Sequence, residues 1–179
     1  MSPEEPAKRY LENRMLKPRI EKVVVNISVG KSGEPLERAQ TILRELTGQK
    51  PCTRRAKRTI RDFGIRAKEP ISCIVTLRGE KAMSFLRRVL PAVDNRIAKA
   101  SFDGHGNLSF GIKEHIDIPG TRYSPELGIV GMDIAVTIGR PGYRVRSRHR
   151  AKSKIGSQHL LTSDEGVSFI REEFNAEVA

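Results

Sequence analysis

Three short stretches of the chain alternate apolar and polar residues. In Ile71–Gly79, ISCIVTLRG, the residues Ile71, Cys73, Val75 and Leu77 fall on one side of an extended chain. Ser72, Ile74, Thr76 and Arg78 fall on the other, because successive strand side chains point to opposite faces. The run around Val23–Gly30 repeats the arrangement, with Val23, Val25, Ile27 and Val29 against Lys22, Val24, Asn26 and Ser28. Met132–Gly139 sets Met132, Ile134, Val136 and Ile138 against Asp133, Ala135, Thr137 and Gly139. The shared pattern predicts a mainly antiparallel sheet with one buried face and one face of small polar groups. A ligand is expected on the polar face.

Between these stretches the apolar period changes to that of a helix. Leu36, Ala39, Ile42, Leu43 and Leu46 recur at helical spacing, with Pro35 suited to a first turn and Gly48 to a C-terminal cap. Ala82, Met83, Leu86, Val89 and Leu90 predict a second helix ended or bent by Pro91, and Val167, Ile170 and Phe174 a capped helix over 163–174. SFDGHGNLSFG, Ser101–Gly111, reads as a glycine-punctuated hairpin. Leu108, Phe110 and Ile112, then Ile116 and Ile118, fit an alternating strand only loosely. Pro3–Lys17 reads as a weakly helical segment anchored by Tyr10, Leu11 and Met15, within an arm over 1–18. The expected architecture is α+β in two layers, with helices packed on one face of the sheet, in a single domain over 1–179.

Charge turns this outline toward a partner. Lysine and arginine number 33 against 21 acids, a formal net charge of +12, which points to a polyanion and most often to nucleic acid. The excess is concentrated in a loop over 54–70 and in an extension over 140–160. In the loop region, QKPCTRRAKRTIRDFGIRAKE, Asp62 and Glu69 are the only acids. In RPGYRVRSRHRAKSK there is none, and Arg144, Arg146, Arg148, Arg150, Lys152 and Lys154 stand at every second position. Extended, that spacing would line one edge with positive charge. No apolar run approaches the roughly 20 residues of a membrane-spanning helix, and MSPEEPAKRY does not read as a signal peptide, so a cytoplasmic protein with no membrane partner is expected.

Catalytic chemistry finds little support. Gly30, Lys31 and Ser32 resemble the end of a phosphate-binding loop, but Val25 stands where its first glycine should be. Gly104 and Gly106 are a fragment of a dinucleotide fingerprint, with Ser109 in place of the third glycine. His105, His115, His149 and His159 are scattered, so no metal site is expected, and His149 within the cationic run suits a phosphate contact. Asp62, Asp103, Asp117 and Asp133 fall on different elements, which leaves a nuclease unsupported. Cys73 lies on an apolar face and Cys52 has no CxxC partner, so both are expected as free thiols. The chain is therefore expected to be no enzyme and to need no cofactor.

RNA fits the polar face. Asn26, Ser28, Ser72, Thr76 and Arg78, with Lys22 beside them, supply the short polar and cationic groups that fix register on a phosphate backbone. Arg54 in the loop and Arg144, Arg146, Arg148 and Arg150 in the extension widen the footprint. No aromatic RNP-type octapeptide is present, so recognition of a folded RNA by shape is favoured over base stacking on the sheet. A nucleic-acid-processing enzyme and a general RNA chaperone are the alternatives.

Several words of the sequence carry a more specific likeness: KVVVNISVG from Lys22, GQKPCTRRAKRTIRDFGIR from Gly48 and PISCIVTLRGEKAMSFL from Pro70. SFDGHGNLSFGIKEHI from Ser101 and GMDIAVTI from Gly131 continue it. In that order they resemble the large-subunit ribosomal protein family known as L-five, which anchors 5S rRNA. The resemblance implies a place in the central protuberance beside large-subunit rRNA and neighbouring proteins, with 5S rRNA on the open sheet face. It implies that the loop near Phe63, Gly64, Ile65, Arg66 and Lys68 reaches toward the P-site tRNA, and that a bridge forms to a protein of the small-subunit head. Asn26, Gln49, Thr53, Thr76 and Arg78 match RNA-binding positions of the family, and Arg66 and Lys68 tRNA-facing ones. The segment RPGYRVRSRHRAKSK is similar to the archaeal and eukaryotic branch, where it is expected to follow rRNA.

Overall fold

A computed structural model describes residues 13–121 and 123–179. The predicted arm over 1–18 lies mostly outside the described residues; its end is a short 3₁₀ turn, Arg14–Leu16, whose preceding Asn13 side chain accepts the Met15 N–H at 2.9 Å. From there the chain runs β1 (Arg19–Ser28), α1 (Glu34–Thr47), β2 (Cys52–Arg55), β3 (Pro70–Leu77) and α2 (Glu80–Val89). It continues through β4 (Arg96–Ile97), β5 (Leu108–Ile112), β6 (Met132–Gly139), the one-turn α3 (Arg144–Ser147), α4 (Ser163–Phe174) and β7 (Glu177–Val178). Five strands form one sheet in the order β2-β3-β1-β6-β5, every pairing antiparallel, and β4 and β7 form a separate parallel pair.

The strands with the clearest alternation occupy the centre. Val23, Val25 and Ile27 of β1 are 0% exposed, with Cys73, Val75 and Leu77 of β3 and Met132, Ile134, Val136 and Ile138 of β6 buried beside them. Onto this face α1 lays Leu36, Ala39, Ile42, Leu43 and Leu46, and α2 lays Ala82, Phe85, Leu86 and Val89; all join one hydrophobic cluster. Phe85 takes the place predicted for Met83, which is half-buried at the margin of the stripe. The expected two-layer α+β fold with helices on one face is what forms. Gly48 closes α1 in the left-handed region at φ 63°, with its N–H on the Arg44 carbonyl. The helix forms over Ser163–Phe174 as predicted and is capped by Thr162: Thr162 and Glu165 satisfy each other's backbone N–H in a capping box.

The basic extension departs from its reading. The alternating cations predicted an extended edge, but Arg144–Ser147 is a helical turn followed by loop. Residues two apart on a helical turn point to different sides, so Arg144 and Arg146 do not share a row. The cause lies one step upstream: Arg140 is 4% exposed, not a surface cation. Its Nε donates to the Leu16 carbonyl at 2.7 Å, Nη1 to the carbonyls of His159 and Leu160 at 3.3 and 3.2 Å, and Nη2 to Glu165 Oε1 at 2.6 Å. Tyr143 Oη donates to the His159 carbonyl and accepts the Leu161 N–H. These hydrogen bonds fold the extension back against the start of α4.

Candidate nucleic-acid interface

The strand registers define the open face row by row. Arg54, Ser72 and Ser28 stand side by side across β2, β3 and β1. The next row is Cys52, Ile74, Asn26, Asp133 and Gly111, followed by Thr76, Val24, Ala135 and Ser109. A bulge between Ile20 and Lys22 then sets Lys22 opposite Thr137. Among these, only Ser72 is buried, at 9%, closed in by its neighbours on both sides. Ser72 therefore has little surface to offer, against the sequence reading that made it a contact. No described helix covers this face.

The predicted residues divide unevenly. Lys22, Asn26 and Thr76 are half-buried on the open face and Ser28, Arg54 and Arg78 are exposed. Asn26 Nδ2 donates to Ser28 Oγ at 3.0 Å, which orients both along the strand. Thr53 pairs with Cys73 and so turns toward the helix side, exposed only because β2 is an edge strand; it is not a neighbour of Asn26 or Thr76. Gln49 is half-buried directly after the α1 cap, its N–H on Thr47 Oγ1 at 3.3 Å. The face is also less polar than the sequence suggests, since Val24 and Ile74 sit half-buried at its centre and Asp133 puts an acid beside Asn26.

Beyond β2 the basic loop is built, not loose. Ala56 exchanges backbone hydrogen bonds with Lys68 and Glu69 at its neck, and Ile60 pairs with Ile65 below a turn over Arg61–Gly64. Glu69 fastens the base: one carboxylate oxygen accepts the Arg66 N–H at 2.9 Å and the other the Ser32 hydroxyl at 2.7 Å. Those two hydrogen bonds, the backbone one first, hold its pKa below the ordinary carboxylate value. Phe63, 74% exposed, stands at the tip, with Gly64, Ile65, Arg66 and Lys68 on the descending arm. Sequence reasoning missed the Ser32–Glu69 tether, because its partners lie far apart in the chain.

In the extension, Arg144, Arg146, Arg148 and Arg150 are all exposed, the first two on a helical turn and the last two on the loop that follows it. Arg148 Nε is engaged with the Ala151 carbonyl at 2.7 Å. Reactive chemistry is thinly provided. Among the described residues no three His, Cys, Asp or Glu side chains converge as a metal site, and burial pushes the Cys73 thiol up to about 11, unsuited to a nucleophile at neutral pH. No described helix is long and apolar enough to cross a membrane.

A sheet sheathed on one side, open and cation-rimmed on the other, has the build of an RNA-assembly component, and comparison with known sequences makes its class a ribosomal protein. Residues 13–66 match the family model for ribosomal protein L5, and residues 70–169 match the model for the C-terminus of the same ribosomal family. The chain is similar to the large ribosomal subunit protein uL5 of Sulfurisphaera tokodaii, 54% identical over 93% of this chain and 94% of the relative. It is equally similar, at 54% over 89% of each chain, to that of Pyrobaculum aerophilum, and 47% identical to that of Nitrosopumilus maritimus over 94% of this chain and 97% of the relative. The chain belongs to the ribosomal protein L5 family, in its archaeal form, and is not an enzyme.

Proposed function

We propose that the chain is a structural constituent of the large ribosomal subunit that binds 5S rRNA on the open face of its sheet and helps to attach it in the central protuberance. The observation that carries this reading is the face itself, where Asn26, Thr76 and Lys22 lie within three adjacent rows, with Arg54 and Arg78 exposed at the rim and no described helix above them. Short hydrogen-bonding groups set register on a phosphate backbone, and cations at the edge supply affinity. The half-buried Val24 and Ile74 suit contact with sugars and base edges, and the strand rows from Arg54 to Lys22 carry no aromatic side chain, which accords with recognition by shape. The loop over 54–70 is held by its own hydrogen bonds and leaves Phe63 and Arg66 exposed, which suits contact with a second RNA such as P-site tRNA. Neighbouring proteins of the protuberance and a small-subunit head protein complete the set of partners, with the ribosome in the cytoplasm as the site of action.

The test is binding of purified chain to 5S rRNA against a folded RNA of the same length. Asn26→Ala and Thr76→Ala should each weaken 5S binding by roughly tenfold, the effect of one hydrogen bond to a charged group, with unfolding temperature unchanged. Undiminished binding in both variants would remove the sheet face from the interface. Neutralising Arg66 and Lys68 together should spare 5S binding and alter tRNA contact.

A further inference from the structure

We propose that a cleft between the Asp103–Asn107 loop and the basic extension receives one unpaired nucleotide of the bound RNA. This rests on the RNA reading above and adds a contact outside the strand rows of the open sheet face. The cleft is an open groove of about 470 Å³, comparable in volume with the roughly 300–1,000 Å³ of small-molecule sites. His105, Arg146, Lys152 and Lys154 form its rim, Ile155 and Leu160 its floor, and no acidic side chain lines it.

The pairing of rim and floor selects the ligand. A cationic rim alone would accept any polyanion, but half-buried Ile155 and Leu160 call for a flat apolar surface to cover them. An acidic peptide satisfies the rim and leaves the floor wet. A duplex presents its phosphates and hides its bases in the stack. An extruded nucleotide carries a phosphate for the lysines and a base face for the floor, with the Arg146 guanidinium and the His105 ring able to lie against it.

Both walls are set before a ligand arrives. Asp103 Oδ1 accepts the N–H groups of His105 at 2.8 Å and Asn107 at 2.7 Å, and Gly106 is pressed on Gly166 of α4, where an added Cβ would come within 2.7 Å. On the opposite wall the Ser153 N–H returns to the Val145 carbonyl at 3.2 Å, and the Leu160 carbonyl is held by buried Arg140. A preformed cleft loses little conformational freedom on binding, which raises affinity for a mobile nucleotide.

The full chain is titrated with two RNA hairpins identical except that a single bulged residue carries its base in one and is abasic in the other. The base-bearing RNA should bind about tenfold tighter, within the range for a base laid on a protein platform. Ile155→Ser should shrink that preference below about twofold without changing the salt dependence, whereas Lys152→Gln with Lys154→Gln should weaken both RNAs. A bulged 4-thiouridine should crosslink within residues 152–160. Equal binding of the two hairpins, crosslinks confined to the sheet strands, or competition by polyglutamate as effective as the bulged RNA would each overturn the proposal. A parallel 5S rRNA titration separates the two readings: a bulge preference that survives without 5S selectivity supports the cleft and counts only against the sheet face.

Discussion

Arg140 shows how one side chain can be read wrongly from its surroundings in sequence. It opens the most basic segment of the chain, yet it is buried and makes four hydrogen bonds that tie the Arg14–Leu16 turn, the extension and α4 together. Removing it would strand the Glu165 carboxylate, only 23% exposed, and take the guanidinium donors away from three carbonyls. Arg140→Ala should therefore destabilise the fold by about 3–5 kcal/mol, measured by denaturant unfolding, and Arg140→Lys should recover little because a point charge cannot span the same acceptors. Glu69 is the opposite case, an acid at the surface that is nonetheless fixed by hydrogen bonds. Its folded pKa lies below its ordinary 4.5, so the bonding that orders the loop is complete above that pH and fades as pH falls through the lowered folded value. Exchange protection of the Arg66 amide should be flat from pH 7 down to about 5 and fall in more acid solution, and Glu69→Ala should abolish it at every pH.

At the scale of elements, legibility followed how much apolar surface each one buries. The strands around Val25, Val75 and Ile134 and the helix around Leu43 could be read directly, because period and burial coincide there. The extension could not: alternating Arg144, Arg146 and Arg148 mimic a strand, but they have no apolar partner set to bury, so the local path is decided by Arg140 and Tyr143 reaching residues far along the chain. The open face was half legible. Alternation placed Asn26 and Thr76 on it, but only the register with Cys73 shows that Thr53 turns the other way, and only the flanking strands show that Ser72 is covered. The hairpin at Ser101 was visible as glycines, though the reason for Gly106 was not. It packs backbone to backbone on Gly166, so Gly166→Ala should force the two apart and lower stability by about 1–3 kcal/mol in a thermal melt, with little change in helix content.

Across the whole molecule, hydrophobic and cationic residues divide the work by geometry. The sheet's covered face commits the apolar residues to stability, so its other face is left rigid and free of described helices, while the two densest runs of cations stand on the loop over 54–70 and the extension. That separation predicts two kinds of RNA-binding variant. Polar groups on the rigid face act through directed hydrogen bonds, so Thr76→Ala should shift affinity for 5S rRNA by the same factor at every salt concentration. Cations on the appendages act by releasing counterions from phosphates, so replacing Arg144 and Arg150, both exposed, with glutamine should flatten the plot of log affinity against log salt by roughly 0.7 to 0.9 for each phosphate no longer neutralised. Arg148, whose guanidinium is engaged on the Ala151 carbonyl, should contribute a smaller change in slope than either. A slope that moves with Thr76 and stays fixed with Arg144 and Arg150 would reverse the assignment, making the sheet the electrostatic surface and the extension a passive strap.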